Sequence, residues 1–169
     1  IESPEDFEDL RIRANDNQIH IDSYEELGVN PLSMSWTEVY SGIQNGTIDG
    51  VSVSIPSMYT NRIHEVAPYI STSGEFYVTT VLLMNNDKFN ELPKDLQDIL
   101  VESSNEVTEY QREVNQDMEA EFLEELENEG YEITDPDSEK MKEASWDPIY
   151  DKYSEELGKE KIDEILNDY

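Results

Sequence analysis

Cysteine is absent, which excludes disulfides, thiolate catalysis and Cys-ligated metal sites. Basic residues are scarce. Eleven Lys and Arg stand against 41 Asp and Glu, giving a formal net charge of -30 and a pI near 4.1. Affinity for phosphate backbones rests on clustered Lys and Arg, so nucleic acid is not a partner this composition suits. An anionic membrane surface would repel the chain for the same reason. No apolar run approaches the ~20 residues needed to cross a bilayer. Gly and Pro, seven each, are too sparse for a low-complexity chain.

What remains is a polar but foldable sequence of 169 residues, 36% hydrophobic, with a mean hydropathy of -0.73. That length suits one domain or the larger part of a two-lobed one. An acidic excess of this size reads as an exposed surface adapted to high salt, where counterions screen the self-repulsion. A cation-buffering role is the alternative. The opening Ile1-Glu2-Ser3-Pro4 is neither a signal peptide nor a Met start. A processed chain or a fragment is expected, and a fragment is the preferred reading.

Signatures of catalysis are missing too. The sequence holds no Gly-rich phosphate loop, nucleophile elbow or His-Glu-x-x-His helix. Asp135-Pro136-Asp137-Ser138-Glu139 opens like a calcium loop, but Lys140 replaces the required Gly and Trp146 stands where the bidentate Glu belongs. His20 and His64 have no partner at metal-ligand spacing and read as structural. A carboxylate pair can always be picked from 41 acids, so none is informative. No catalytic residue, metal or cofactor is therefore assigned.

The acidity is uneven, with 14 acids in residues 1–90 and 27 in residues 91–169. Leu10 to Ala14 alternates apolar and basic residues, as a short strand does. Ile19 to Leu27 suits a helix stopped by Gly28. Pro31 to Met34 reads as a second strand. Ser35 or Thr37 then caps a helix running to Gln44 and stopped at Asn45-Gly46. Ile48 to Val53 gives a third strand. This βαβαβ rhythm argues for a parallel sheet covered by helices. A short helix near Ser57–Arg62 precedes two extended runs, near Val66–Ile70 and Phe76–Met84. From Pro93, apolar residues Leu96 through Leu126 recur at three- and four-residue steps and their sums. They predict a helix of about 35 residues, ~50 Å long, and so long a helix is expected to bridge two bodies. A strand at Tyr131–Thr134 and two amphipathic helices broken at Gly158 complete the chain; their Glu-rich faces read as solvated.

Leu10-Arg11-Ile12-Arg13, then Leu27-Gly28-Val29-Asn30-Pro31, Met34-Ser35-Trp36-Thr37-Glu38-Val39-Tyr40 and Gln44-Asn45-Gly46-Thr47-Ile48-Asp49-Gly50 form an ordered series. Tyr59, Glu65-Val66 and Glu91-Leu92-Pro93-Lys94-Asp95-Leu96-Gln97 continue it. The series resembles the DctP-type solute-binding proteins of TRAP transporters over nearly the whole chain. That resemblance implies an α/β fold of the periplasmic-binding-protein kind. It would have a parallel-rich sheet flanked by helices, a long inter-lobe helix and C-terminal helices. Residues 1–78 would be the main part of the second lobe. Residues 79–115 would cross into the first lobe, mostly absent here, and residues 116–169 would bring the long helix and C-terminal helices back. Apolar surface left bare on the crossing segment makes a homodimer or domain swap an expected consequence.

The resemblance also carries site residues. Arg13 stands where the family places the arginine that pairs with a ligand carboxylate. A guanidinium suits that role because its planar fork grips a carboxylate bidentately and stays charged in a closed cleft; a surface ion pair is the plainer alternative. Arg11 lies outside the matched position and reads as structural. Trp36 occupies an aromatic position against the ligand body, where an indole supplies apolar area and one N–H donor, unless it is a core aromatic. Tyr40, one turn later, reads as packing. Asp16 falls at a position of polar contact, suited to a hydroxyl, an amine or a cation. After Asp49-Gly50 the chain departs from the family's Gln-Glu-Asn-Pro-like run: Val53 takes the place of the ligand-touching Asn. Ser52 or Ser54 could supply a hydroxyl there. Glu75 and Tyr77 lie near the second hinge crossing, with Tyr77 a candidate contact.

The function implied is extracytoplasmic capture of a small carboxylate for TRAP membrane subunits. C4-dicarboxylates, sugar acids and other oxo- or hydroxy-acids all fit. The alternative is a stand-alone acidic interaction or sensor module that dimerises.

Overall fold

The computed structural model describes residues 1–74 and 79–167. The chain divides into two compact units, Ile1–Glu75 with Gly130–Tyr169, and Phe76–Glu129.

The first unit is built on a three-stranded parallel sheet. Strand β1, Arg11–Ala14, buries Ile12 and Ala14 and turns Arg11 and Arg13 to the half-exposed face, as alternation requires. Helix α1, Gln18–Glu26, starts where the Asn17 side chain accepts from the His20 backbone N–H at 3.2 Å. It stops before Gly28, whose φ of 75° is the left-handed turn a side chain resists. Strand β2, Asn30–Ser33, pairs in parallel with β1. A 3-10 turn at Trp36–Glu38 leads into α2, Val39–Gln44, and then into β3, Gly50–Val51, on the other side of β1. The sheet order is β2-β1-β3. Gly50 lets β3 approach closely, since a Cβ there would lie 3.0 Å from Ile12 Cδ1.

The third strand is shorter than the predicted Ile48–Val53 run. At its entry the Asp49 N–H donates to the Arg11 carbonyl at 2.7 Å, while the Asp49 carboxylate takes the Arg11 backbone N–H at 2.9 Å in place of a backbone acceptor. Helix α3, Ile55–Thr60, begins two residues earlier than predicted because Pro56 is tolerated in a first turn. After a 3-10 turn at Ile63–Glu65, strand β4 is Tyr69–Ser71, displaced from the predicted Val66–Ile70 by Pro68, which lacks a ladder donor.

The second unit contains α4, Asn86–Asn90, and α5, Lys94–Glu129, the 36-residue helix that the apolar spacing anticipated. The predicted extended run Phe76–Met84 lies partly outside the described residues. Residues 79–84 pair with no strand among those described, and Val81, Leu82, Leu83 and Met84 are exposed, Leu83 to 89%.

Back in the first unit, β5, Glu132–Thr134, pairs in parallel with β4. Helices α6, Ser138–Leu157, and α7, Lys159–Asn167, meet at Gly158, φ 95°. Helix α6 packs on α1. The principal core gathers Phe7, Ile12, Ala14, Tyr24, Leu27, Val29 and Met141, so sheet, α1 and α6 share one apolar centre. No described helix is long and apolar enough to cross a membrane.

Candidate functional site

Strand order β2-β1-β3 places a switch of direction beside β1. The chain leaves β1 towards β2 through α1, then returns past it to β3 through α2. In open parallel sheets the crevice for a ligand lies outside the carboxyl ends of the strands at such a point. The register pairs Arg13 with Leu32 on one side and Val51 on the other. Arg13 therefore stands at the carboxyl end of the central strand. Ser52 and Val53, both half-buried, follow immediately on β3.

Two arginines separated by one residue have opposite fates. Arg11 is closed off: Nε donates to Asp49 Oδ2 at 2.8 Å, one terminal nitrogen donates to Asp49 Oδ1 at 2.6 Å, and the other donates to the Gly46 carbonyl at 2.8 Å. Arg13 has only Nε engaged, donating to the Met34 carbonyl at 3.2 Å. No carboxylate pairs with Arg13 among the described residues, and neither terminal nitrogen has an acceptor there. Its guanidinium carbon sits 5.9 Å from the centroid of the Trp36 ring, within cation–π range. In a chain with 41 acids, an arginine held by a carbonyl and an indole, with its fork open, is an anion-binding geometry. With Nε engaged, the two terminal nitrogens are what this guanidinium can offer a carboxylate, end-on.

Trp36 is half-buried at the first position of its 3-10 turn. Its indole N–H donates to Asn61 Oδ1 at 3.4 Å, so the donor assigned to the ligand on sequence grounds is already engaged. Tyr40 is half-buried with its hydroxyl on Glu65 at 3.2 Å, a tie between α2 and the turn after α3. Asp16 is exposed in the bend after β1. Tyr77 and Glu75 lie outside the described residues.

His20 was assigned no role by spacing, yet it flanks the site. Burial and the Arg13 charge both push its pKa below the ordinary value. The ring contacts Asn15 Oδ1 at 2.5 Å and Tyr24 at 4.9 Å. The imidazole thus lies in the field of Arg13, which disfavours its charged form. His64 is buried between Tyr59, stacked at 4.9 Å, and Tyr131, edge-on at 5.7 Å, away from these groups. Asn61 and His20 were not legible as site residues. Their partners lie 25 residues away in sequence for Asn61 and across a turn for His20. Among the described residues no cluster of three or more His, Asp or Glu could hold a metal ion.

A model of the bacterial extracellular solute-binding proteins, family 7, matches residues 1–156. The chain is 27% identical over 158 residues to the 2,3-diketo-L-gulonate-binding periplasmic protein YiaO of Escherichia coli K12, covering 93% of this chain and 48% of that protein. It is 28% identical over 134 residues to the ectoine-binding periplasmic protein TeaA of Halomonas elongata, covering 79% and 39%. A TRAP periplasmic solute-binding protein from Polaromonas sp. JS666, solved bound to D-erythronate, superposes with a TM-score of 0.90 at 27% identity, covering 98% of this chain and 55% of that one. The chain spans about half the length of the curated relatives it matches. By a family match that runs through 156 of its 169 residues, it belongs to the DctP family, the extracytoplasmic solute-binding proteins of TRAP transporters.

Proposed function

We propose that this chain supplies one wall of a ligand cleft that captures a small organic acid outside the membrane and delivers it to TRAP membrane subunits. The observation that carries the reading is Arg13. It is a guanidinium at the carboxyl end of the central strand, with no acidic partner and no acceptor for its terminal nitrogens among the described residues of a strongly acidic chain. The carboxylate sits end-on against those nitrogens, and the face of Trp36 packs on the ligand body. Ser52 and Val53, which follow Val51, line the rest of this wall. No bond is made or broken, so the chain acts as a receptor and not as an enzyme.

Sugar acids and related hydroxy- or oxo-acids are the preferred ligand class. Relatives that bind 2,3-diketo-L-gulonate and D-erythronate support it. The test is thermal stabilisation of the intact protein by D-gluconate, D-erythronate, succinate and the neutral polyol sorbitol. A bound ligand at 100 times its Kd stabilises by about 2.7 kcal/mol. One or more of the acids should raise the melting temperature while sorbitol does not. Equal responses to sorbitol and the acids would contradict a carboxylate receptor.

A second reading, self-association, is favoured by the exposed run Val81–Met84 and by exposed Ile99, Val101, Val107 and Tyr110 on α5. Sedimentation of the intact protein distinguishes a dimer held by these residues from a monomeric receptor.

A further inference from the structure

Asn61 is an exposed residue with little packing of its own, yet its amide is held in one orientation. It ends α3, and the next residue, Arg62, turns the chain with φ 57°. The Asn61 side-chain NH2 donates to the Ser57 carbonyl at 2.8 Å, which identifies the nitrogen side of the amide and directs Oδ1 outward. That oxygen accepts the Trp36 indole N–H. The Trp36 ring in turn lies against the Arg13 guanidinium, whose Nε is fixed by the Met34 carbonyl.

We propose that Asn61 is a positioning residue for the ligand site: by holding the Trp36 indole N–H it sets the plane of the ring against which Arg13 rests. Two consequences follow. Asn61 touches no ligand and acts only through Trp36. And the indole offers the ligand a π-face and no hydrogen-bond donor, so the ligand presents C–H surface to it, as the carbon skeleton of a hydroxy acid does. The inference rests on the assignment of Arg13 as the carboxylate anchor, while its first test does not.

That test is the Trp36 indole ¹H–¹⁵N signal in the intact protein, identified by its loss in Trp36→Phe. Asn61→Ala should move the signal and speed its hydrogen exchange. Asn61→Asp, which keeps an acceptor for the indole but loses the donor to the Ser57 carbonyl, should restore both only in part. An indole signal unchanged by Asn61→Ala overturns the proposal whatever the ligand is. The second test uses D-gluconate as probe and a double-mutant cycle. Loss of one neutral hydrogen bond should weaken binding about three- to tenfold in the Trp36 background. In the Trp36→Phe background the same change should cost almost nothing, and an equal loss in both backgrounds overturns the proposal. A probe affinity unaffected by Arg13→Ala, with the indole response intact, would instead remove the ligand assignment and leave the Asn61–Trp36 relationship standing.

Discussion

The buried carboxylate of Asp22 on α1 accepts hydrogen bonds from both the Lys152 ammonium and the Tyr153 hydroxyl on α6, and from Gln18 Nε2 at 2.7 Å. Asp22 is 4% exposed, whereas the Lys152 side chain remains half in water. One carboxylate thus fastens the last long helix to the helix that leaves the site-bearing strand. The Lys152, Tyr153 and Gln18 hydrogen bonds hold its pKa down at about 2, against 3.8 unperturbed.

The sign of the pH dependence follows. A depressed folded-state pKa stabilises the fold above 3.8 and loses that contribution as pH falls towards about 2. Asp22→Asn should lower the urea midpoint at neutral pH with little change in m. The gap to the parent protein should close as pH drops through that window. A gap that stays constant to pH 2 would show that the carboxylate's charge is not what holds α6.

His20 gives a second, separate pH window. Its folded pKa lies below 6.5, so the unfolded chain binds the extra proton first and stability falls as pH drops below 6.5 towards the folded value. His20→Gln should flatten this part of the stability profile while leaving the acid limb of Asp22 in place. Chemical denaturation at a series of pH values separates the two.

Net charge should appear as salt dependence. With -30 charges, self-repulsion is long-ranged at low ionic strength and is screened within about 3 Å at 1 M. The melting temperature should rise between about 0.1 and 1 M NaCl, and differential scanning calorimetry measures it. A melting temperature independent of salt would contradict the reading of the acidic surface as salt-adapted.

Ile48, 1% exposed, closes the corner between α2 and β3, where it lies 3.3 Å from the position of a Cβ on Gly42. Ile48→Ala should destabilise by about 2–5 kcal/mol, the range for emptying a packed aliphatic site. Ile48→Val should cost about 0.5–1.5 kcal/mol. Equilibrium unfolding in urea gives both values.

Local signals made most of the first unit legible. The alternation around Ile12, the stop at Gly28 and the Asn45-Gly46 break each act over a few residues, and β1, α1, β2 and α2 follow them closely. The long α5 was legible because a three- and four-residue apolar period over 36 residues has no other solution. Legibility failed where a distant residue intervened. At the entry of β3 the Asp49 carboxylate, 38 positions away, takes the Arg11 N–H. The Trp36 donor is engaged by Asn61, 25 positions on. Asp22 is one acid among 41, and nothing in its neighbourhood marks it as the buried one. Arg11 and Arg13 look alike in sequence and were separated only by their place in a family pattern. The physical distinction is that Arg11 pairs with Asp49, while Arg13 pairs with no carboxylate among the described residues.

The carboxylate assignment is tested most directly by isothermal titration of the intact protein with the best-stabilising acid, comparing Arg13→Lys and Arg13→Ala with the parent. Removing a charged hydrogen-bonding partner of a closed site should cost about 2–5 kcal/mol, a loss of at least about thirtyfold in Kd. Arg13→Lys should recover only part of it, because an ammonium has no planar fork. An unchanged Kd in Arg13→Ala would contradict the account.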